Sequence, residues 1–123
     1  MKPMSNWSVL IVEDDPSSSD ILAQILEHNG MTVDIASSAE NALQLLNDNR
    51  YDLAVLDLAL PGMDGWQLQQ EMRQLPNAHD IIAIAVTAYY TPLLAKEAKE
   101  AGFSAAFPKP VTQSLAKSLQ TLL

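Results

Sequence analysis

Two hydrophobic rhythms alternate along the chain. Val9-Leu10-Ile11-Val12 is an unbroken apolar run closed by Glu13-Asp14-Asp15-Pro16, the pattern of a strand buried on both faces and stopped by turn chemistry. From Pro16, which suits a first helical turn, Ile21, Leu22, Ile25 and Leu26 make one apolar face that stops near Gly30, predicting an amphipathic helix. Met31, Val33 and Ile35 then alternate with Thr32 and Asp34, as in a strand with one side less covered, at or near a sheet edge. Ser37-Ser38-Ala39-Glu40 offers a capping box for a helix that turns Ala39, Ala42, Leu43 and Leu46 inward and ends around Asn49-Arg50.

The second half repeats the alternation. Leu53-Ala54-Val55-Leu56 is a short buried strand closed by Asp57, and Leu60-Pro61-Gly62-Met63-Asp64-Gly65 is rich in breakers. Leu68, Met72 and Leu75 fall at helical spacing. Ile81 to Val86 reads as a strand ending at Thr87, Pro92 to Ala101 as a helix stopped by Gly102, and Ser104 to Pro108 as a last short strand. Thr112 can cap a final helix whose face is Leu115, Leu119 and Leu122. Strands alternating with helices specify an α/β fold, a doubly wound five-stranded parallel sheet with helices on both faces, because each right-handed crossover covers the strand it leaves. In the common order 2-1-3-4-5, ligands bind beyond the carboxyl ends of the strands, where strands one and three diverge.

Composition narrows the function. The 123 residues, 48% hydrophobic and 18% charged, suit one globular domain, 1–123, with its core from about residue 8. With no cysteine, thiolate metal sites and cysteine nucleophiles are excluded. The apolar runs are too short to span a bilayer, and Met1 to Asn6 lacks the apolar core of a signal peptide, so a cytoplasmic location away from membranes is expected. A net charge of -8 argues against a nucleic-acid groove, which needs clustered cations. The excess is uneven: residues 1 to 80 carry thirteen acids and three bases, whereas residues 81 to 123 carry two acids and four lysines.

On the expected fold, Asp14, Asp15, Asp57, Thr87 and Lys109 collect at one rim. Carboxylates converging there repel one another unless a cation or a proton intervenes. Oxygen donors without His or Cys select a hard ion, and Mg2+ suits best, because it leaves coordination positions for water and phosphate oxygens. For Asp14 or Asp15 the alternative is a cap on the helix beginning near Pro16. Asp57 ends an apolar strand where an ionised group needs a reason, and an aspartate can form an acyl phosphate when the phosphoryl charge is neutralised and held in line. Lys109 supplies a fixed cation for phosphoryl oxygens and Thr87 a hydroxyl donor. His28 and His79 fall away from the rim and read as exposed. Trp66 reads as an anchor for the third helix and Trp7 as a cover over the first strand.

Asp14-Asp15, the stretch Asp57-Leu58-Ala59-Leu60-Pro61-Gly62-Met63-Asp64-Gly65, the pair Thr87-Ala88, and Lys109-Pro110, in that order and spacing, resemble the receiver domain of bacterial two-component response regulators over essentially the whole chain. The resemblance implies a phosphorylation-dependent signalling switch. Asp57 accepts a phosphoryl group from a sensor histidine kinase or phosphotransfer protein, and the domain catalyses only its own phosphorylation and dephosphorylation. Asp14, Asp15, Asp57 and the carbonyl of Ala59 surround Mg2+, Thr87 and Lys109 contact the phosphoryl oxygens, and the Lys109-Pro110 bond is cis. Output passes to a downstream protein or a second copy through the fourth helix, fifth strand and fifth helix, where Lys96, Lys99 and Lys117 lie.

One position departs from the family pattern: Ala106 stands where Tyr or Phe is usual. Ring rotation cannot occur there, which leaves the alternative of a degenerate receiver acting as a constitutive binding module. Phe107, of opposite strand parity, reads as core, and Tyr89 and Tyr90 as loop aromatics beside Thr87. Two other classes fit less well. A flavodoxin-like electron carrier shares this three-layer sandwich and strand order, but Glu13-Asp14-Asp15 repels the phosphate its loop must cradle. A haloacid-dehalogenase-type phosphatase wants a second acid two residues after its nucleophile, where this chain has Ala59.

Overall fold

A computed structural model describes residues 3–122; Met1 and Lys2, part of the amino-terminal segment read above, lie outside the described residues. A 3-10 turn at Met4–Asn6 leads into β1 (Ser8–Val12). There follow α1 (Pro16–His28), β2 (Thr32–Ala36), α2 (Ala39–Asp48), β3 (Leu53–Asp57), α3 (Gly65–Met72), β4 (Ile82–Thr87), α4 (Pro92–Glu100), β5 (Ala105–Pro108) and α5 (Ser114–Thr121). The strands pair in parallel in the order β2-β1-β3-β4-β5, the doubly wound α/β sheet expected from the alternation.

Each central strand feeds two cores because successive side chains point to opposite faces. Leu10, Val12, Ala54, Leu56, Ala83 and Ala85 pack with Leu46, Leu68, Met72 and Ala98 of α2, α3 and α4. Val9, Ile11, Leu53, Val55, Ile84 and Val86 pack with Leu22, Leu26, Leu115 and Leu119 of α1 and α5. Every large aliphatic side chain so buried contributes roughly 1.5–3 kcal/mol, and this burial holds the rim residues in register. Edge strand β2 is the least covered, with Ile35 exposed, and its Asp34 accepts a 2.7 Å hydrogen bond from the Tyr51 hydroxyl. Trp7 is buried against the α1–α5 core, as its position before β1 suggested. Among the described residues, no helix is long and apolar enough to cross a membrane.

Local details correct the sequence reading in several places. The N-cap of α2 is Ser38, whose side chain accepts from Asn41 N–H, so the box proposed from Ser37 to Glu40 does not form. A reciprocal capping box forms instead on α3, between Asp64 and Gln67. That helix ends at Met72, and Leu75 packs on the core from the turns that follow. At α5 Gln113 stands at the N-cap position without a side-chain cap bond, and it is the Thr112 hydroxyl oxygen that accepts the Ser114 N–H at 3.4 Å, as the sequence suggested. Ile21 is 49% exposed rather than part of the inward face of α1, and Leu122 is 36% exposed.

The start of α3 is pressed onto the end of β3. Gly65 N–H donates to the Leu58 carbonyl at 3.3 Å, and a Cβ on Gly65 would lie 2.4 Å from the Asp57 carbonyl oxygen and 2.9 Å from Leu58 Cα. Backbone atoms cannot yield as a flexible side chain can, so only glycine lets the helix sit this close. Gly65→Ala is therefore expected to destabilise the fold by about 1–3 kcal/mol, read as a lower urea midpoint with an unchanged slope.

Candidate functional site

The register of the sheet delivers the rim. Val12 pairs with Leu56, and Asp57 with Val86. Beyond the strand ends the hydrogen bonding continues: Glu13 N–H donates to the Ala36 carbonyl, Leu58 N–H to Val86, and Lys109 N–H to Thr87. Residues 13, 57, 87 and 109 thus stand side by side at the carboxyl ends of β1, β3, β4 and β5.

Lys109 organises the side chains. Its Nζ donates to Asp57 Oδ2 at 3.1 Å and to Glu13 Oε1, bridging the ends of β1 and β3 from the far edge of the sheet. Asp57 is only 4% exposed, and its Oδ1 accepts the Ala59 N–H at 3.0 Å. Carboxylate oxygens of Glu13, Asp14 and Asp57 lie within 4.8 Å of one another, the first and last buried and Asp14 exposed. The Lys109-Pro110 bond is cis, as the family resemblance implied. Thr87, 1% exposed, takes its place at the rim with its hydroxyl oxygen accepting Tyr89 N–H at 3.0 Å.

Asp15 is placed elsewhere. It occupies the N-cap position of α1 with Pro16 at N1, and its carboxylate accepts the Ser18 hydroxyl at 2.8 Å, which holds it below its ordinary carboxylate range. At that position its side chain makes no cap bond to the helix backbone, and the residue whose carboxylate clusters with those of Asp14 and Asp57 is Glu13. The remaining expectations follow the fold. His28 and His79 are exposed, Trp66 meets Phe103 edge-on at 5.9 Å between ring centroids, and Ala106, half-buried, lies against the α3–α4 core.

The donor set fits a hard divalent cation. Three carboxyl groups face one ammonium, so acid is in excess, and the donors are oxygen throughout, as Mg2+ requires. Glu13, Asp14 and Asp57 are the side chains that would hold it.

Comparison with known proteins covers nearly the same span. The family model described as the response regulator receiver domain matches residues 9–120. An uncharacterised 14.6 kDa protein of Leptolyngbya boryana is 38% identical over 111 residues, covering 90% of this chain and 85% of that protein. The sensor histidine kinase RcsC of Escherichia coli K12 is 32% identical over 117 residues; the match covers 93% of this chain but 12% of the kinase. The crystal structure of the chemotaxis response regulator CheY4 of Vibrio cholerae superposes with a TM-score of 0.86 at 25% identity, covering 96% of this chain and 99% of that one.

Crowded carboxylates give the site a titration signature. Burial pushes Glu13 up to about 7, with Asp57 adding to the push and Lys109 opposing it. Burial also pushes Asp57 up, but hydrogen bonds from Glu13, Ala59 N–H and Lys109 outweigh it and hold its carboxyl below the usual range. The Lys109 ammonium, disfavoured by burial, is held above its ordinary value by Glu13 and Asp57. A raised Glu13 binds its proton more tightly in the folded chain. Its contribution to stability is complete below about 4.5 and is lost as pH rises through about 7. In chelator-treated protein, urea unfolding between pH 5 and 8 is expected to show a loss on the order of 2 kcal/mol that Glu13→Gln removes; an equal slope in the variant would assign the titration to another group.

Proposed function

The chain belongs to the response regulator receiver domain family, whose role is phosphorylation-dependent signalling, and from that premise we propose that Asp57 is the phosphoryl acceptor. The observation that carries this reading is the grip of Lys109 on a buried aspartate at the end of β3, inside a cluster of three carboxylates. An aspartate paired with a fixed ammonium is kept ionised, and therefore nucleophilic, at neutral pH. Glu13, Asp14, Asp57 and the Ala59 carbonyl would hold Mg2+, with Glu13 in the place expected of Asp15. Bound there, Mg2+ would neutralise charge on the incoming phosphoryl oxygens. Lys109 Nζ orients one of those oxygens, and the Thr87 hydroxyl donates to another while its own oxygen keeps the Tyr89 N–H, since a hydroxyl both donates and accepts.

In this reading the stretch 1–123 is one receiver domain, cytoplasmic, that promotes only its own phosphorylation and dephosphorylation. Its donor is a sensor histidine kinase or a phosphotransfer protein; RcsC, whose matching segment is a small part of a kinase, supports that class. Output goes to a downstream protein, or to a second copy, through α4, β5 and α5, where Lys96, Lys99 and Lys117 are exposed on an otherwise acidic chain. Ala106 favours a second reading, a constitutive binding module: with no ring at that position, β5 has no side chain to swing when Thr87 engages a phosphoryl group.

Acetyl phosphate with Mg2+ is expected to add one phosphoryl mass to the intact protein. Asp57→Asn and chelation should each abolish the adduct, and Lys109→Ala should slow its formation by about 10²-fold. Equal labelling of Asp57→Asn would reject the assignment. Light scattering and amide NMR of the labelled protein separate the two readings: a switch shifts resonances along α4 and β5, whereas a constitutive module leaves them in place.

A further inference from the structure

Helix α3 touches both the candidate acceptor and the far end of α4. At its start Gly65 is buried, and a Cβ there would lie 2.4 Å from the Asp57 carbonyl oxygen. The backbone of Asp57 and Leu58 therefore has no room to shift toward α3 without carrying the helix along. From that start Trp66, Gln69 and the C-cap residue Arg73 follow at i, i+3 and i+7, one stripe along the helix. The stripe meets the turn that ends α4. Trp66 stands edge-on to Phe103, with 5.9 Å between ring centroids. The Gln69 amide and the Arg73 guanidinium close over Gly102, where a Cβ would lie 2.5 Å from Arg73 Nη1 and 3.1 Å from Gln69 Nε2. The turn itself is tightly built. Gly102 has a φ of +99°, its N–H donates to the Lys99 carbonyl at 3.1 Å, and Phe103 N–H donates to Ala98 at 3.0 Å, the pairing that closes a helix through a glycine in the left-handed region. Arg73 also brings a cation to the negative end of the α4 dipole.

We propose that α3 carries the state of Asp57 to the carboxyl end of α4, in place of the aromatic ring that β5 lacks at Ala106. The inference rests on Asp57 being the acceptor. In the arrangement described, Ala59 N–H and Lys109 each hold one Asp57 oxygen. A phosphoryl group takes up one of those oxygens and competes for the Lys109 ammonium, so the backbone from Asp57 to Ala59 is drawn into a different arrangement. Gly65 rests on that backbone without clearance, and α3 moves as a unit. The Gly102–Phe103 turn, held by a ring on one side and by an amide and a guanidinium on the other, moves with it. The same grip favours the arrangement in which Lys109 holds Asp57 directly. Coupling between two sites is reciprocal, so loosening the grip favours the phosphoryl-bound arrangement. Arg73 is the place to loosen it, because its side chain is exposed and its removal leaves no hole in the core.

The test uses beryllofluoride with Mg2+, an anionic stand-in for a phosphoryl group, and follows backbone amides by NMR. In the unaltered chain the shifts are expected to be larger at Gly102, Phe103 and the last turn of α4 than at Leu93 to Ala95 in its first turn. Arg73→Ala is expected to bind beryllofluoride about 5-fold more tightly and to lose the shifts at Gly102 and Phe103 while keeping those at Ala59 and Thr87. The sign separates coupling from charge, since loss of a cation by itself weakens the binding of an anion. Gln69→Met, which keeps the volume and removes the amide, should act in the same direction. Lys117→Ala, which removes an exposed cation from α5, should not tighten binding. Unchanged or weaker affinity in Arg73→Ala would overturn the inference with Asp57 still the acceptor. So would shifts that are largest in the first turn of α4 and survive the substitution, the pattern of a signal passing through Thr87 and the 88–91 loop. Amides of Ala59 and Thr87 that ignore beryllofluoride in the unaltered chain would instead remove the acceptor assignment, and the inference with it.

Discussion

Lys109 is the tie on which the rim depends. It leaves the edge of the sheet at β5, crosses the end of β4, and reaches the carboxylates of β3 and β1. Without its ammonium the interior would hold two buried acids, Glu13 and Asp57, at a spacing where both cannot stay ionised. Removing one partner of such a cluster leaves uncompensated charge out of water, which is why buried ion pairs are costly to break even when they add little net stability. The arrangement is better understood as poised than as stabilising: it keeps Asp57 charged and an ammonium fixed beside it.

The sheet turns that tie into a device. Parallel pairing sets neighbouring strand ends level, so residues far apart in sequence become neighbours in the order of the strands. Two glycine-scale tolerances then finish the pocket. Gly65 lets α3 descend onto the Asp57 carbonyl, and the Ala59 N–H turns back to hold Asp57 Oδ1. Between them the aspartate has one oxygen fixed by backbone and one by lysine, with little rotational freedom left.

Element type and order were legible throughout, because strands buried on both faces write continuous apolar runs and helices write a 3.6-residue period. Asp57, Thr87 and Lys109 were equally legible, since each closes or follows such a run. The acidic triplet was not. A one-residue ambiguity in where β1 stops decides whether Asp14 stands with Glu13 or with Asp15, and hydrophobicity cannot resolve it; the structure clusters Asp14 with Glu13. Ile21 misled for a different reason: helical spacing placed it with Leu22 and Ile25, but the stripe is narrower than the pattern, and α1 leaves Ile21 exposed. The cap at Ser38 escaped because adjacent polar residues compete for the same role, and backbone torsions, not residue type, select among them.

The two open borders of the sheet, β2 and β5, are each spoiled as templates for strand addition. On β2 a carboxylate stands at the middle of the strand, anchored by a phenol, so a second copy aligned antiparallel on its own dyad would set like charges opposite each other. On β5 the strand finishes in Pro108, which has no amide hydrogen to offer an incoming chain. Fibril-like growth is thereby discouraged at both sides of a sheet rich in β-formers, which leaves the helical faces as the surfaces on which contact with another protein carries no such hazard.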